Sequence, residues 1–450
     1  MPQRDRRPGL QAIALLLVLL CVSACTAIRR VMDFQDQAAV AKAKVRIFGT
    51  IETEGAVEGV LVVITATTAA VDESRGRRSS AGAGREFVGV DSYTRATPGT
   101  FLFFLDSGWY ALGAYEDRNS NGLLDTGERV YRLSSAELVD LAPGDRYEAD
   151  IRLVDAEVHQ GPPVDILGIV EKDVREQGLF ALWTFSQKGK VIDSLDEERF
   201  GAEQGTFGFW RPVDFLNEEL AGIYFLERYD DDRTPVLFVH GALGYPKEFE
   251  TLFEALDRER FQPWFYFYPS GSSLVGTSNH LAQMIRKLEM ELDFDELAIV
   301  AHSMGGLVSL GAIRHYVEEV DRNDIPLLIT ISSPLGGDAK AERAEKRPIE
   351  LPKSINDLNP EGDYMKWLFG QDEEQRIDKG LAAETEHHMM IGFGGSGEPY
   401  NDGVVSVASQ APPGSQERAA SIRIWDESHR SILEAARTAD RLNRILDEHF

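Results

Sequence analysis

The string Ala301-His302-Ser303-Met304-Gly305 follows the apolar run 297–300 directly and opens into a helix-compatible stretch. A strand that enters a helix through so tight a turn needs small residues on both sides of the central one, so bulk at Ala301 or Gly305 would clash with crossing backbone. The serine at the apex then presents its hydroxyl at the end of a strand. A serine in an ordinary strand-to-helix turn of small residues has the same string, so the neighbours must decide between the two readings.

An alkyl hydroxyl is a poor nucleophile near neutral pH; it needs a base to take its proton and a carboxylate to orient that base. Downstream of Ser303, residues 327–332, 388–392 and 421–425 read as buried strands, each closed by a loop. Asp402 lies in Asn401-Asp402-Gly403-Val404-Val405 after the second of these, and His429 lies in Glu427-Ser428-His429-Arg430 after the third. Loops at the carboxyl ends of strands in an open α/β sheet converge, so the three side chains are expected to meet. Read alone, Asp402 belongs to an Asp-Gly turn and His429 to the approach of the last helix. Asp426 is the second candidate acid. His302, beside the serine, is expected to point away and to pack or hydrogen-bond.

The tetrahedral intermediate of such chemistry carries an oxyanion that needs preorganised N–H donors. Two segments offer them: Met304, directly after the serine, and the loop His240-Gly241-Ala242-Leu243-Gly244 after the strand 235–239. In this order the motifs resemble the lipase and esterase branch of the α/β-hydrolase superfamily, in which Ala opens the pentapeptide. The resemblance implies an α/β-hydrolase fold over 223–450 and hydrolysis of carboxylic esters by a Ser303-His429-Asp402 triad through an acyl-enzyme. It also implies an oxyanion hole from the N–H groups of Ala242 and Met304, with no cofactor for catalysis. Two alternatives stay open: an acyltransferase using the same triad, and a non-catalytic envelope scaffold that keeps the fold.

Between the motifs, 263–268 is an aromatic run whose alternation puts Trp264, Tyr266 and Tyr268 on one side of a strand, where aromatics are most often core. Leu281, Met284, Ile285, Leu288 and Leu292 have helical spacing after Ser278 and Asn279 as candidate caps. Residues 334–386 form a long polar insertion broken by Pro348, Pro352 and Pro360. It reads either as a lid over the site or as a solvated excursion; its Ser354-Ile355-Asn356-Asp357-Leu358 resembles segments of lipase cap regions.

At the other end, Arg4, Arg6 and Arg7 precede an apolar run over 10–20 and then Val22-Ser23-Ala24-Cys25. This resembles a bacterial lipoprotein signal, with 1–24 removed and Cys25 acylated; the alternative is an ordinary signal peptide in which Cys25 is incidental. Multiple acyl chains would anchor the protein at a membrane. Thr26 in place of Asp after the cysteine points, by the same resemblance, to the outer membrane. The formal net charge of -27 disfavours nucleic acid as a partner, because phosphate neutralisation needs a basic surface.

After a tether over 25–44, residues 45–154 show short alternating apolar runs separated by turn-forming clusters, the pattern of a β-sandwich, with a Ser, Gly and Arg-rich loop at 72–85. This part resembles the transthyretin-like and carboxypeptidase-regulatory-like modules of secreted proteins and reads as a spacer. Within it, Asp117, Asn119, Asn121, Leu123 (through its carbonyl), Asp125 and Glu128 fit a twelve-residue calcium-loop template with Gly122 at the turn. A structural calcium ion and a polar hairpin turn are the two readings. Residues 155–222 are expected to be a linker or cap segment.

Overall fold

The computed structural model describes residues 44–53, 56–57, 59–68, 87–95, 97–121, 123–131, 138–153, 157–164, 187–319, 324–341, 351–370, 384–395 and 400–450, with parts of 32–43. Residues 1–24, read above as a signal sequence, Cys25, residues 72–85 and Gly122 lie outside the described residues, as do 165–186 and parts of 334–386.

The C-terminal part is an α/β architecture built on eight strands, numbered here along the chain: β1 (Gln187–Val191), β2 (Gly222–Phe225), β3 (Thr234–Val239), β4 (Phe261–Phe267), β5 (Ala298–His302), β6 (Leu327–Ile331), β7 (Glu386–Gly392) and β8 (Ser421–Trp425). Their order in the sheet is β1-β2-β4-β3-β5-β6-β7-β8. From β4 to β8 every pairing is parallel, whereas β2 runs antiparallel to β4. A parallel sheet needs crossovers that cover both faces, which is why its central strands are apolar throughout.

Period-two alternation divides these strands between two cores. Leu237, Val239, Ile299, Ala301 and Leu328 join one core, while Val236, Phe238, Ala298, Val300 and Ile329 join the other. Helices α1 (Glu250–Glu254), α2 (Leu274–Leu292), α3 (Met304–Glu319), α4 (Lys353–Asp357), α5 (Asp363–Phe369) and α6 (Ala436–His449) supply the covering faces. Leu281, Ile285, Leu307 and Val308 cover the first face; Leu252, Phe253, Leu442 and Ile445 cover the second. Each side chain buried in this way contributes roughly 1.5–3 kcal/mol before its ordering entropy is subtracted.

Three sequence expectations change. The sheet begins at Gln187, inside the segment read as a linker, because β1 is a half-exposed edge strand of sequence QKGKV with no apolar alternation to announce it. Helix α2 begins at Leu274 rather than after Ser278: the Ser273 side chain caps it by accepting from the Gly276 N–H. Ser278 is instead buried against Tyr364, their hydroxyls 2.8 Å apart, and the Asn279 side chain accepts a 2.9 Å bond from the Tyr93 hydroxyl. Within the insertion, read above as a lid or a solvated excursion, α5 packs into the core. Tyr364, Met365, Leu368 and Phe369 are buried, and the Tyr364 hydroxyl donates to the Leu307 carbonyl at 2.8 Å.

The N-terminal part has two sheets. Val45–Glu52 pairs with Gly99–Leu105, Arg146–Glu148 and Ile151–Arg152 in one; Val60–Thr68 lies between Phe87–Arg95 and Gly108–Asp117 in the other. Val45, Ile47, Phe101 and Phe103 of the first share a core with Leu61, Val63, Tyr110 and Ala114 of the second. This part leans on α2. The Gln283 side-chain carbonyl, buried in the contact, accepts from the Thr94 N–H at 3.2 Å and the Thr94 hydroxyl at 3.1 Å. Among the described residues no helix is long and apolar enough to cross a membrane.

Candidate active site

Ser303 occupies the turn between β5 and α3 with φ 55°, a left-handed conformation that costs a non-glycine residue on the order of 1 kcal/mol. Neighbouring backbone holds it there: the Ser303 N–H donates to the Ile331 carbonyl at 2.9 Å, and the Ser303 carbonyl accepts from the Gly306 N–H at 3.0 Å. The turn is tight enough that a β-carbon on Gly305 would lie 2.3 Å from the Val239 carbonyl oxygen and 2.5 Å from that of His240. Here lies the physical reason for the small residue beside the serine.

The loops after β7 and β8 bring Asp402 and His429 to the same end of the sheet. His429 Nε2 lies 2.9 Å from Ser303 Oγ, and His429 Nδ1 lies 2.7 Å from Asp402 Oδ2. A carboxylate can only accept, so Nδ1 carries the hydrogen and Nε2 faces the hydroxyl as acceptor. A main-chain bond from the His429 N–H to the Asp402 carbonyl, 2.8 Å, ties the two loops together. Burial alone would push Asp402 up; the bond from His429 and the N–H groups of Val405 and Val404 outweigh it and hold the carboxyl below its usual range. Burial lowers His429, and the bond to Asp402 opposes without fully restoring it, so the imidazole is neutral near pH 7. Asp426, the other acid considered, is exposed and makes no hydrogen bond to His429.

Met304 follows Ser303 directly in the chain, and Ala242 follows Gly241, whose backbone lies against Ser303. Among the described residues neither N–H meets an acceptor. The N–H of the next residue, Leu243, is by contrast taken by Ser270 Oγ at 3.0 Å, with Leu243 itself at φ 60°. His240 steadies the base of this loop, its ring stacked on Tyr268 at 4.2 Å while the Tyr268 hydroxyl donates to its carbonyl at 2.6 Å.

No protein-family model matches this chain, and no curated protein is similar to it in sequence at a significant level. Several solved structures are similar to it. A mature lipase of Bacillus licheniformis is 19% identical with a TM-score of 0.39, the match covering 49% of this chain and 94% of that one. A metagenomic carboxyl esterase is 15% identical with a TM-score of 0.37, over 49% of this chain and 77% of that one. Lipase B of Aspergillus fumigatus is 16% identical with a TM-score of 0.36, over 48% of this chain and 54% of that one.

Around the three side chains lies a layer that sequence reasoning missed. Gln410, buried at the end of a four-residue helix (Val407–Gln410), bridges the acid loop to β7. Its Oε1 accepts from the Gly392 N–H at 3.0 Å, and its Nε2 donates to the Gly392 carbonyl at 2.9 Å, the Val405 carbonyl at 3.1 Å and Asp402 Oδ2 at 3.3 Å. Nothing in its local string distinguishes it from a surface glutamine. Ser270 sits in a loop whose Pro269-Ser270-Gly271-Ser272 composition announced only a turn.

The candidate calcium loop bridges Gly108–Asp117 and Arg129–Tyr131, as a hairpin between strands. Its donor types suit a hard cation, but its oxygens already face N–H groups. Glu128 accepts from the Arg118 and Asp125 N–H groups, both at 2.7 Å; Asp125 Oδ2 accepts from the Asn119 and Asn121 amides at 2.9 and 3.0 Å; and Asn121 Oδ1 accepts from the Leu123 N–H at 2.9 Å. Asp117 Oδ1 accepts from the Asn121 N–H at 3.1 Å. Among the described residues, the one group of three acidic, His or Cys side chains close enough to share an ion is Asp230, Asp231 and Asp232, which is largely exposed.

Proposed function

We propose that this protein is a serine hydrolase of carboxylic esters with an α/β-hydrolase fold, working through Ser303, His429 and Asp402. The observation that carries the reading is the unbroken line from Ser303 Oγ to His429 Nε2 and from His429 Nδ1 to Asp402, drawn from three loops at one sheet end. In the proposed reaction, Ser303 Oγ attacks the ester carbonyl carbon as its proton passes to His429 Nε2. The oxyanion takes the N–H groups of Ala242 and Met304, which supply on the order of 3 kcal/mol each where such donors have been removed elsewhere. Collapse breaks the bond to the alcohol, which leaves with the proton from His429. Water then attacks the acyl-serine, giving its proton to His429, and the acid departs as that proton returns to Ser303.

The cellular setting is part of the same proposal: acylation at Cys25 after removal of 1–24, a lipid-anchored place in the bacterial envelope, and the N-terminal two-sheet region as a β-sandwich spacer. The arrangement of residues 22–25 supports the first, and the separate core shared by the two sheets supports the last.

Labelling the purified protein with a fluorophosphonate and hydrolysing short-chain aryl esters tests the chemistry. Wild type should label at Ser303 and turn over; Ser303→Ala, folded, should do neither. Full turnover by Ser303→Ala would refute the reading.

A further inference from the structure

Directly behind the proposed base lies a second imidazole facing a second carboxylate. His302 Nε2 is 2.8 Å from the main-chain carbonyl oxygen of His429, and the two rings are 4.7 Å apart. A carbonyl only accepts, so Nε2 carries a hydrogen. The opposite ring nitrogen, Nδ1, faces Glu248 Oε1 at 3.5 Å, with side chains only 5% and 12% exposed. The two atoms are not hydrogen-bonded to each other at that separation, and neither has another partner among the described residues; a carboxylate only accepts, so Glu248 can hold the ring only where Nδ1 carries a hydrogen as well. Glu248 arrives from the 3-10 turn Pro246–Phe249.

We propose that Glu248 and His302 are a positioning pair, in which Glu248 orients the His302 ring so that His302 holds the loop of His429 at hydrogen-bonding distance from Ser303. Neither side chain is hydrogen-bonded to the serine or to the candidate oxyanion donors; the pair acts through the proposed base, so the inference rests on the triad reading. His302 is fixed at its own end because it is the last residue of β5. The position of the His429 main chain is therefore referred directly to the strand that carries the nucleophile. The other ties of His429 are the end of β8 just before it, the bond from the Gly394 N–H to the Glu427 carbonyl and the Asp402 loop, and none of them belongs to β5. The other groups near the pair are His240, which burial lowers to about 4 and keeps neutral, Arg430 on the exposed side of Glu248, and the His429 ring.

Steady-state kinetics of the full chain tests this. His302→Phe keeps a flat ring but removes the donor, and should lower kcat by about tenfold with KM unchanged, since a misplaced base affects the chemical step more than binding. His302→Gln, whose amide can donate to the same carbonyl, should recover most of the loss. Glu248→Gln should lower kcat by itself, yet add nothing in the His302→Phe background, because its effect passes through His302. Equal kcat for His302→Phe and wild type, failure of His302→Gln to rescue, or a Glu248→Gln effect that persists undiminished without His302 would each overturn the proposal. Fluorophosphonate labelling of the same preparations separates the two levels. Labelled wild type with an indifferent His302→Phe sinks only the positioning pair, whereas unlabelled, inactive wild type sinks both.

Discussion

Gly241 passes so close to Ser303 that a β-carbon on it would lie 2.6 Å from Ser303 Cβ and 3.0 Å from Ser303 Oγ. The two residues follow neighbouring parallel strands, β3 and β5, so the contact fixes the distance between Ser303 and the candidate oxyanion loop. Gly241→Ala must displace one or the other. It is expected to lower kcat by about tenfold or more while leaving the melting temperature nearly unchanged, since the loop can yield outwards but the attack geometry cannot. Stopped assays on an aryl ester beside thermal melts check this, and an alanine variant with wild-type kcat would count against the placement of the loop.

Gln410 makes a different kind of prediction, because its side chain satisfies both main-chain groups of Gly392 as well as Asp402. Gln410→Leu leaves those buried groups unpaired, at about 1–3 kcal/mol for each. A loss of about 2–4 kcal/mol in urea unfolding is expected, with lowered kcat as the acid loop loosens. A leucine variant as stable as wild type would show that water enters to take the place of the amide.

The turn at Ser303 was legible because its geometry restricts residue type at adjacent positions, and the meeting of Asp402 and His429 with Ser303 was legible because strand ends in a parallel sheet impose an order. Gln410 was not, since its role comes from burial beneath a loop whose path no short string encodes. Glu248 and His302 face one another only because residues 246–249 fold over the end of β5. Strand β1 escaped for the opposite reason. Its only strand partner is β2, with the Lys188–Glu291 ion pair to α2 beside it, and nothing in its side chains marks it as part of a sheet.

Asp402→Asn should act on the pH profile as well as on rate. Burial lowers His429, and the hydrogen bond and charge of Asp402 partly offset this. In wild type the acid limb of kcat/KM should therefore fall below 6.5, with a flat region around neutrality. Removing the carboxylate removes a raising influence, so the limb should move to still lower pH while the plateau drops by on the order of 10³–10⁴ through loss of the correct tautomer. A limb that moves upward would mean that another group governs it.

Stability should be acid-sensitive well before the carboxylates titrate. Six imidazoles are lowered, each chiefly by burial, and four of them far: His240 and His315 to about 4, His280 and His387 to about 3. Their unfolded value is 6.5. Between that value and about 4, the unfolded chain binds protons that the folded protein refuses, so stability falls as pH falls. Each imidazole contributes up to about 1.4 kcal/mol per pH unit in this window. Depressed carboxylates such as Asp402 act in the same direction, but their contribution is intact above 3.8 and is lost only as pH drops through the lowered value. The expected result is a urea midpoint that declines steadily from pH 6.5 to 4.5, with His315→Gln flattening the slope by roughly one proton's worth. His315 suits the test because its Nε2 has no hydrogen-bond partner to lose. A midpoint constant over that interval would mean that these rings are protonated in the folded protein too, and that the packing around them is looser than the distances here imply.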